Sequence, residues 1–390
     1  MKDPDVLIVG GGLIGMAIGW EIARAGLAVT VVERDGTEER PTGASWAAAG
    51  MLAPAAETGF QEEPQLALGR ASLALYPEWV AEVEAAAGVS VDYRAEGTLI
   101  LALDQDDAAW LDRVERTQAA LGLAPRRLRG GEAREMEPHL TPNVTAAIFA
   151  AEDHQVDNRR LWSALRTAFS AAGGTLRQGW EATRIARKGD SVAGVWTRQA
   201  GETSGEEVFL GAERVLVCAG AWTKHLLAVG LPASVVPPIR PVKGQILSLE
   251  MSRFLTFEYV VRTRRVYMAP KSDGRLVVGA TSEERGFDRH LTAGAVMELL
   301  RDAWETAPGI YDLPILESWT GLRPAARDNA PVLGATPIDG LFLATGHYRN
   351  GVLLTPITAR TMRDLLVDGV ESELIRPFGV GRFQSRTETM

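Results

Sequence analysis

DVLIVGGGLIGMAIGWEIARAGLAVTVVERD, residues 5–35, decides how this chain of 390 residues begins to fold. Val6, Leu7, Ile8 and Val9 form a short unbroken apolar run, as expected of a strand buried on both faces of a parallel sheet. Ile14, Ala17, Ile18, Ile22 and Ala25 recur at helical steps, and Gly26 is a natural C-terminal stop. Ala28 to Val32 is strand-forming again and ends at Glu33. The segment reads as a βαβ unit. Between its first strand and its helix, Gly10, Gly12 and Gly15 form GxGxxG. Glycine serves there because the turn is tight, the backbone must touch a pyrophosphate, and the helix must pack close to the strand. The helix N-terminus then meets the anion with N–H groups and a positive dipole end. Glu33 stands where a carboxylate hydrogen-bonds adenosine ribose hydroxyls and repels a 2′-phosphate. The ligand is therefore FAD or NAD rather than NADP.

Val6 to Trp20, with Lys2 ahead, also has the texture of a signal peptide's apolar part. It is shorter than the roughly 20 residues of a membrane helix. The βαβ reading uses the same residues, and the signal is rejected.

Outward from this unit the pattern alternates. Helices are expected over Leu66–Ala87, Ala108–Leu121, from an Asp157 N-cap through Ala172, over Ala295–Thr306, and in a closing segment to Val367. Thr183 to Val195 resembles a hairpin turning at Lys188-Gly189-Asp190. RVLVCAGA (214–221) and LFLATGHYRNGVLL (341–354) are further apolar strands running into glycine turns. Antiparallel-looking material, QILSL, VYMAP and RLVVGA, lies between them. The expected fold class is α/β (α+β): a discontinuous Rossmann-type domain from residues 1–87, 151–234 and 321–390. A mostly antiparallel substrate-binding domain, residues 88–150 and 235–320, is inserted in it.

Two domains also suit the length. With 41 basic against 50 acidic side chains and a net charge of −9, no basic footprint exists for nucleic acid. One cysteine closes no intrachain disulfide, which fits a cytoplasmic protein, and no membrane partner is expected. The histidines at 139, 154, 225, 290 and 347 lack close metal-ligand spacing, so no metal site is expected. Cys218 reads as a small buried hydrophobe, and Trp162 and Trp196 as packing.

FAD and NAD share the glycine fingerprint, and FAD needs further contacts far along the chain. GASWAAAGMLAP (43–54) and TGHYRNGVLLTP (345–356) set small residues beside apolar runs, permitting close backbone approach to a flat ring. Together with the fingerprint they favour flavin.

These segments, with RVYMAP, RLVVGAT and WTGLRP, resemble the FAD-dependent amine oxidases of the D-amino-acid oxidase superfamily, most of all the glycine oxidases of thiamine biosynthesis. The likeness runs from residue 5 to about 367 and implies non-covalent FAD, since no cysteine lies near the C-terminal motifs. It implies cofactor contacts from Leu13 and Ile14, Glu33 and Arg34, Ala44 and Ser45, and Ala49, Gly50 and Met51. Ala182 is similar in placement to a residue that offers its backbone to the adenine. His347, Tyr348, Arg349, Asn350, Gly351, Val352 and Leu353 would line the ring and ribityl chain. Tyr267 and Arg323 match the pair that holds a substrate carboxylate, and Arg349 a second substrate-side residue. A guanidinium gives a two-pronged grip on a carboxylate and a phenol donates a third hydrogen bond. On the residues alone, Arg323 reads as a solvated charge and Tyr267 as core.

The activity implied is oxidative deamination of glycine, sarcosine or a small D-amino acid. Hydride passes to FAD, O2 reoxidises it giving H2O2, and the imine is hydrolysed to a 2-oxo acid and ammonia. No obligatory acid–base side chain is needed if the amine sheds its proton before or during binding. Ser282 departs from the methionine that the resemblance implies after VVGAT, and a smaller, polar residue there is expected to enlarge the pocket beyond glycine's needs. Implied partners are thiazole synthase machinery and further copies of the chain, as a homotetramer. Two alternatives stand beside the oxidase: a dehydrogenase passing electrons to a quinone or carrier, and a non-catalytic nucleotide-binding module.

Overall fold

The structure is a computed structural model that describes residues 3–36, 41–54, 63–202 and 204–384. Parts of the expected FAD-binding segments, Lys2 among them, lie outside the described residues.

Val6–Val9 is wholly buried at the middle of a six-stranded sheet. Val29–Glu33 pairs with it on one side and Val215–Val217 on the other, both parallel. Thr175–Gln178 and Leu341–Thr345 extend the sheet in parallel, and Val332–Ala335 closes one edge antiparallel. Chain order reverses on either side of Val6–Val9, and such a switch point leaves a crevice at the carboxyl ends of the strands. Helices Leu13–Arg24, Glu63–Ala87, Asn158–Ala171 and Thr355–Arg363 build one buried layer with this sheet. A three-stranded antiparallel sheet, Trp180–Lys188, Ser191–Gln199 and Val208–Gly211, packs its apolar side on the other face. Both faces are thus covered, which is why the strands read as continuous apolar runs.

The expected helices are present with shifted ends. Asp157 caps its helix by accepting from the N–H groups of Arg159 and Arg160. The closing helix is regular only to Arg363; a wider turn, Asp364–Asp368, follows and Gly369 ends it at φ 72°.

The second sheet has eight strands, drawn from residues 98–150 and 240–325. It is antiparallel except where Val260–Arg262 runs parallel to Thr98–Ala102, the seam that joins the two chain pieces. One face buries helix Ala293–Thr306 through Leu247, Val261, Met268 and Val278. The opposite face carries Ile246, Val260, Ala269, Val277 and Trp319. The boundary expected at 320/321 needs correction, because it cuts the strand Ile315–Ala325. That strand pairs with Arg240–Glu250 in register as far as Ala325, opposite Arg240. GLRP is therefore part of the eight-stranded sheet.

Candidate active site

A cleft of about 470 Å³ runs from the glycine turn to the second face of the eight-stranded sheet. At the switch point Gly10 has φ 109°, and a Cβ there would lie 2.4 Å from the carbonyl oxygen of Cys218. A Cβ on Gly15 would lie 2.0 Å from the Gly10 carbonyl oxygen. The turn therefore closes only with glycine at both positions. Helix Leu13–Arg24 starts from Gly12 with no side-chain cap and no acid in its first turn. The Leu13 N–H donates to Ser45 Oγ at 2.9 Å. An N-terminus so built keeps its positive end for an anion.

Glu33 accepts from the N–H of Gly11 at 2.6 Å and of Asp35 at 2.9 Å. Burial pushes its carboxyl up, and these N–H donors oppose the shift. Beside it the Arg34 guanidinium lies 4.2 Å over the Trp222 ring, and Ala182 lines the same end.

The middle of the cleft is made by two loops. Residues 43–50 are held by helix Asn158–Ala171: Asn158 Nδ2 donates to the Ser45 carbonyl at 2.7 Å, and Arg159 lies 3.6 Å over the Trp46 ring. Gly50 has φ 78°, with Val156 O where a Cβ would be. Ala44, Ser45, Ala49, Gly50 and Met51 all line the cleft. Opposite them, His347 to Val352 follow Leu341–Thr345. Tyr348, at φ 50°, donates its N–H to the Pro324 carbonyl at 2.9 Å, tying this loop to the eight-stranded sheet. His347 is fully buried against Thr358, and burial alone pulls its pKa down to about 3, so the ring is neutral. Leu353 is the exception among the expected contacts. Its side chain is turned into the core beside Gly69, and its carbonyl accepts from Ser72 Oγ at 2.6 Å. A helix-ward turn after Val352 buries it.

The third wall is the sheet face itself. Tyr267 stands opposite Gly279 on the neighbouring strand, with its hydroxyl 2.5 Å from where a Gly279 Cβ would sit. The Arg323 guanidinium lies over Gly244, 2.6 Å from the corresponding Cβ position, and donates to the Thr281 carbonyl at 3.0 Å. Both long side chains thus cross the sheet over a glycine. Ser282, Arg262 and Arg349 line the same end. The acidic lining residues, Glu33, Asp35 and Glu181, belong to the nucleotide end, among the described residues.

The pattern of the family described as "DAO: FAD dependent oxidoreductase" matches residues 5–365. The chain belongs to this family. Glycine oxidase of Geobacillus kaustophilus is 37% identical over 381 residues, covering 97% of each chain. The crystal structure of a glycine oxidase from that organism superposes with a TM-score of 0.88 at 34% identity, over 98% of this chain and 99% of that one. The bifunctional protein ThiO/ThiG of Synechocystis is 36% identical over 395 residues. This chain spans about half the length of such ThiO/ThiG proteins, 54% of that one.

The cleft fits the FAD of this family: a helix N-terminus with no acid in its first turn and no cap from its own Gly12, a carboxylate at the second strand's end, and small residues along the middle. The sequence reading missed several residues. Trp162 lines the cleft and its indole N–H donates to the Gly11 carbonyl at 2.8 Å, so it is more than packing. Trp222 had one signal, the glycine turn that ends RVLVCAGA. Gly244 and Gly279 had none, since their purpose exists only across strands. Among the described residues no cluster of His, Cys, Asp or Glu could hold a metal ion.

Proposed function

We propose that this chain carries out flavin-dependent oxidation of glycine or another small amino acid, with sarcosine and small D-amino acids in the same class. Bound FAD supplies the two-electron acceptor for the Cα hydrogen and returns those electrons to O2 as H2O2. Arg323 and Tyr267 grip the substrate carboxylate from the sheet face, and Arg349 closes on it from the opposite loop. This fixes the Cα hydrogen in one orientation, and positioning of that kind lowers a barrier without any acid–base group. The amine loses its proton to water, since the substrate end has no carboxylate among its described lining and burial makes the His347 ring too weak a base to take it. Water then hydrolyses the imine to a 2-oxo acid and ammonia, or methylamine where the substrate is sarcosine. The observation that carries the reading is the pair of side chains laid over Gly244 and Gly279.

The division of labour follows the two sheets, the six-stranded one for cofactor and the eight-stranded one for substrate. FAD is held non-covalently: Cys218, the chain's one cysteine, is half-buried where it lines the cleft at the glycine turn, at the nucleotide end and away from Tyr267 and Arg323, and burial raises its thiol's pKa. The relatives that join ThiO to ThiG support a role in supplying thiazole synthesis for thiamine. Trp304, Tyr311 and Ile315 are exposed and support a homo-oligomer. A cytoplasmic setting is consistent with the absence, among the described residues, of any helix long and apolar enough to cross a membrane.

Peroxide release from glycine, sarcosine and D-alanine in air tests the activity. With Arg323→Ala, loss of a charged hydrogen-bond partner raises KM about ten- to a hundredfold. An unaltered KM removes the anchor, and no peroxide from any of the three removes the reading.

A further inference from the structure

We propose that the substrate end carries a second anion subsite, centred on Arg262, which favours small amino acids bearing a second carboxylate. The proposal rests on the amino acid oxidase reading and names the substrate class within it.

The strand register places Arg262. It pairs directly with Tyr267 across antiparallel strands, and directly opposed residues put their side chains on the same face. The packing shows which face. Val261 and Met268 are buried with helix Ala293–Thr306, whereas Val260, Ala269 and Tyr267 belong to the opposite side. Arg262 accordingly stands on the cleft side, and it is part of the cleft lining.

In strand order the face presents Arg323 folded over Gly244, Tyr267 folded over Gly279, and then Arg262. Tyr267 sits between two guanidinium-bearing positions. Gly279 and Arg262 are two strand spacings apart, about 10 Å between backbones. A carboxylate held by Arg323 and Tyr267 therefore leaves a short dianion's second carboxylate directed toward Arg262. Arg264 and Arg265, in the turn that follows, also line the cleft, and each faces an acid, Asp107 at 3.7 Å and Glu305 at 3.0 Å. Arg262 is the position whose strand register aims it at the substrate.

The probe reaction is oxidation of iminodiacetate. Its Cα hydrogen leaves as hydride, C=N forms, and water adds. Iminodiacetate, O2 and water give glyoxylate, glycine and H2O2. Sarcosine is the monoanionic comparison. Binding is read separately by calorimetry on the FAD-loaded protein with diglycolate and methoxyacetate, which keep the two shapes but have no amine to oxidise. A second charged contact favours the dianion by about tenfold or more. Arg262→Gln should cut the iminodiacetate-to-sarcosine ratio of kcat/KM, and the diglycolate-to-methoxyacetate ratio of affinity, at least tenfold, with Arg262→Lys restoring part of each. A smaller fall in both ratios overturns the subsite. If neither amine is oxidised while the diglycolate preference still depends on Arg262, the activity reading fails and the subsite stands. If both amines are oxidised and neither ratio responds, the reverse holds.

Discussion

Gly244 does its work by having no side chain. The Arg323 guanidinium occupies the space where a Cβ would go, 2.6 Å from both terminal nitrogens. Gly244→Ala should leave the sheet folded, because the displaced group is the far end of a flexible side chain. It should raise KM for glycine roughly tenfold, the scale of one charged hydrogen bond, with flavin absorbance unchanged. A KM equal to the parent's would show that the guanidinium position is unimportant. His347 gives a second prediction at this scale. Its folded pKa, about 3, lies below the ordinary 6.5 because of burial. The unfolded chain therefore binds a proton that the native ring refuses, and stability is fully present above pH 6.5 and falls as pH drops toward 3. Denaturant midpoints at pH 7.5 and pH 5 should differ less in His347→Gln than in the parent. An equal difference would mean that other groups govern the acid limb.

At the scale of elements, the glycine turn and the helix it launches were readable in advance, because their signal is local. Gly10, Gly12 and Gly15 follow a strand within a few residues and answer to the same backbone geometry in any context. Tyr267 and Arg323 were not readable in that way. Their convergence depends on Arg240–Glu250 lying between Arg275–Gly279 and Ile315–Ala325, a register written in no short stretch; only the family resemblance supplied them. Leu353 shows the limit of that resemblance, since the backbone turn after Val352 decides which side chains reach the cleft. The same strand that carries Arg323 is fastened to the flavin-side loop. Trp319 donates its indole N–H to the Ala47 carbonyl at 3.0 Å and meets Trp46 edge to face, with Arg159 against both rings. Trp319→Phe deletes the hydrogen bond while keeping an aromatic ring. It should loosen both anchors together, raising KM severalfold and weakening FAD retention on dilution. A change confined to KM, with FAD retention intact, would place the fastening on the substrate side alone.

At the scale of the molecule, the two sheets meet through polar links as well as through the cleft. The Lys271 ammonium donates to the Val156 carbonyl at 3.0 Å, Arg275 pairs with Asp157, and His347 bridges to Ala325. Lys271 is fully buried, and burial draws its pKa down to about 8, so this junction has a cost even when made. A cofactor lying along the cleft would touch both sheets and add to links that are modest alone. Ligand that binds only the native state stabilises it by about 3 kcal/mol at a hundred times its dissociation constant. FAD-loaded protein should therefore melt several degrees above apoprotein, and the gain should depend on FAD concentration. Gly10→Ala sets a Cβ against the Cys218 carbonyl at a backbone angle that disfavours one, so the variant should purify colourless or not at all. Gly12→Ala, whose Cβ would meet only the movable Ser45 hydroxyl at 2.9 Å, is the gentler case and should keep its fold. Calorimetric scans of parent and Gly12→Ala, with and without added FAD, decide the point. If FAD raises the parent's melting temperature and the variant's gain is smaller, the glycine turn is where cofactor binding becomes stability. Equal gains in both would move that coupling elsewhere in the cleft.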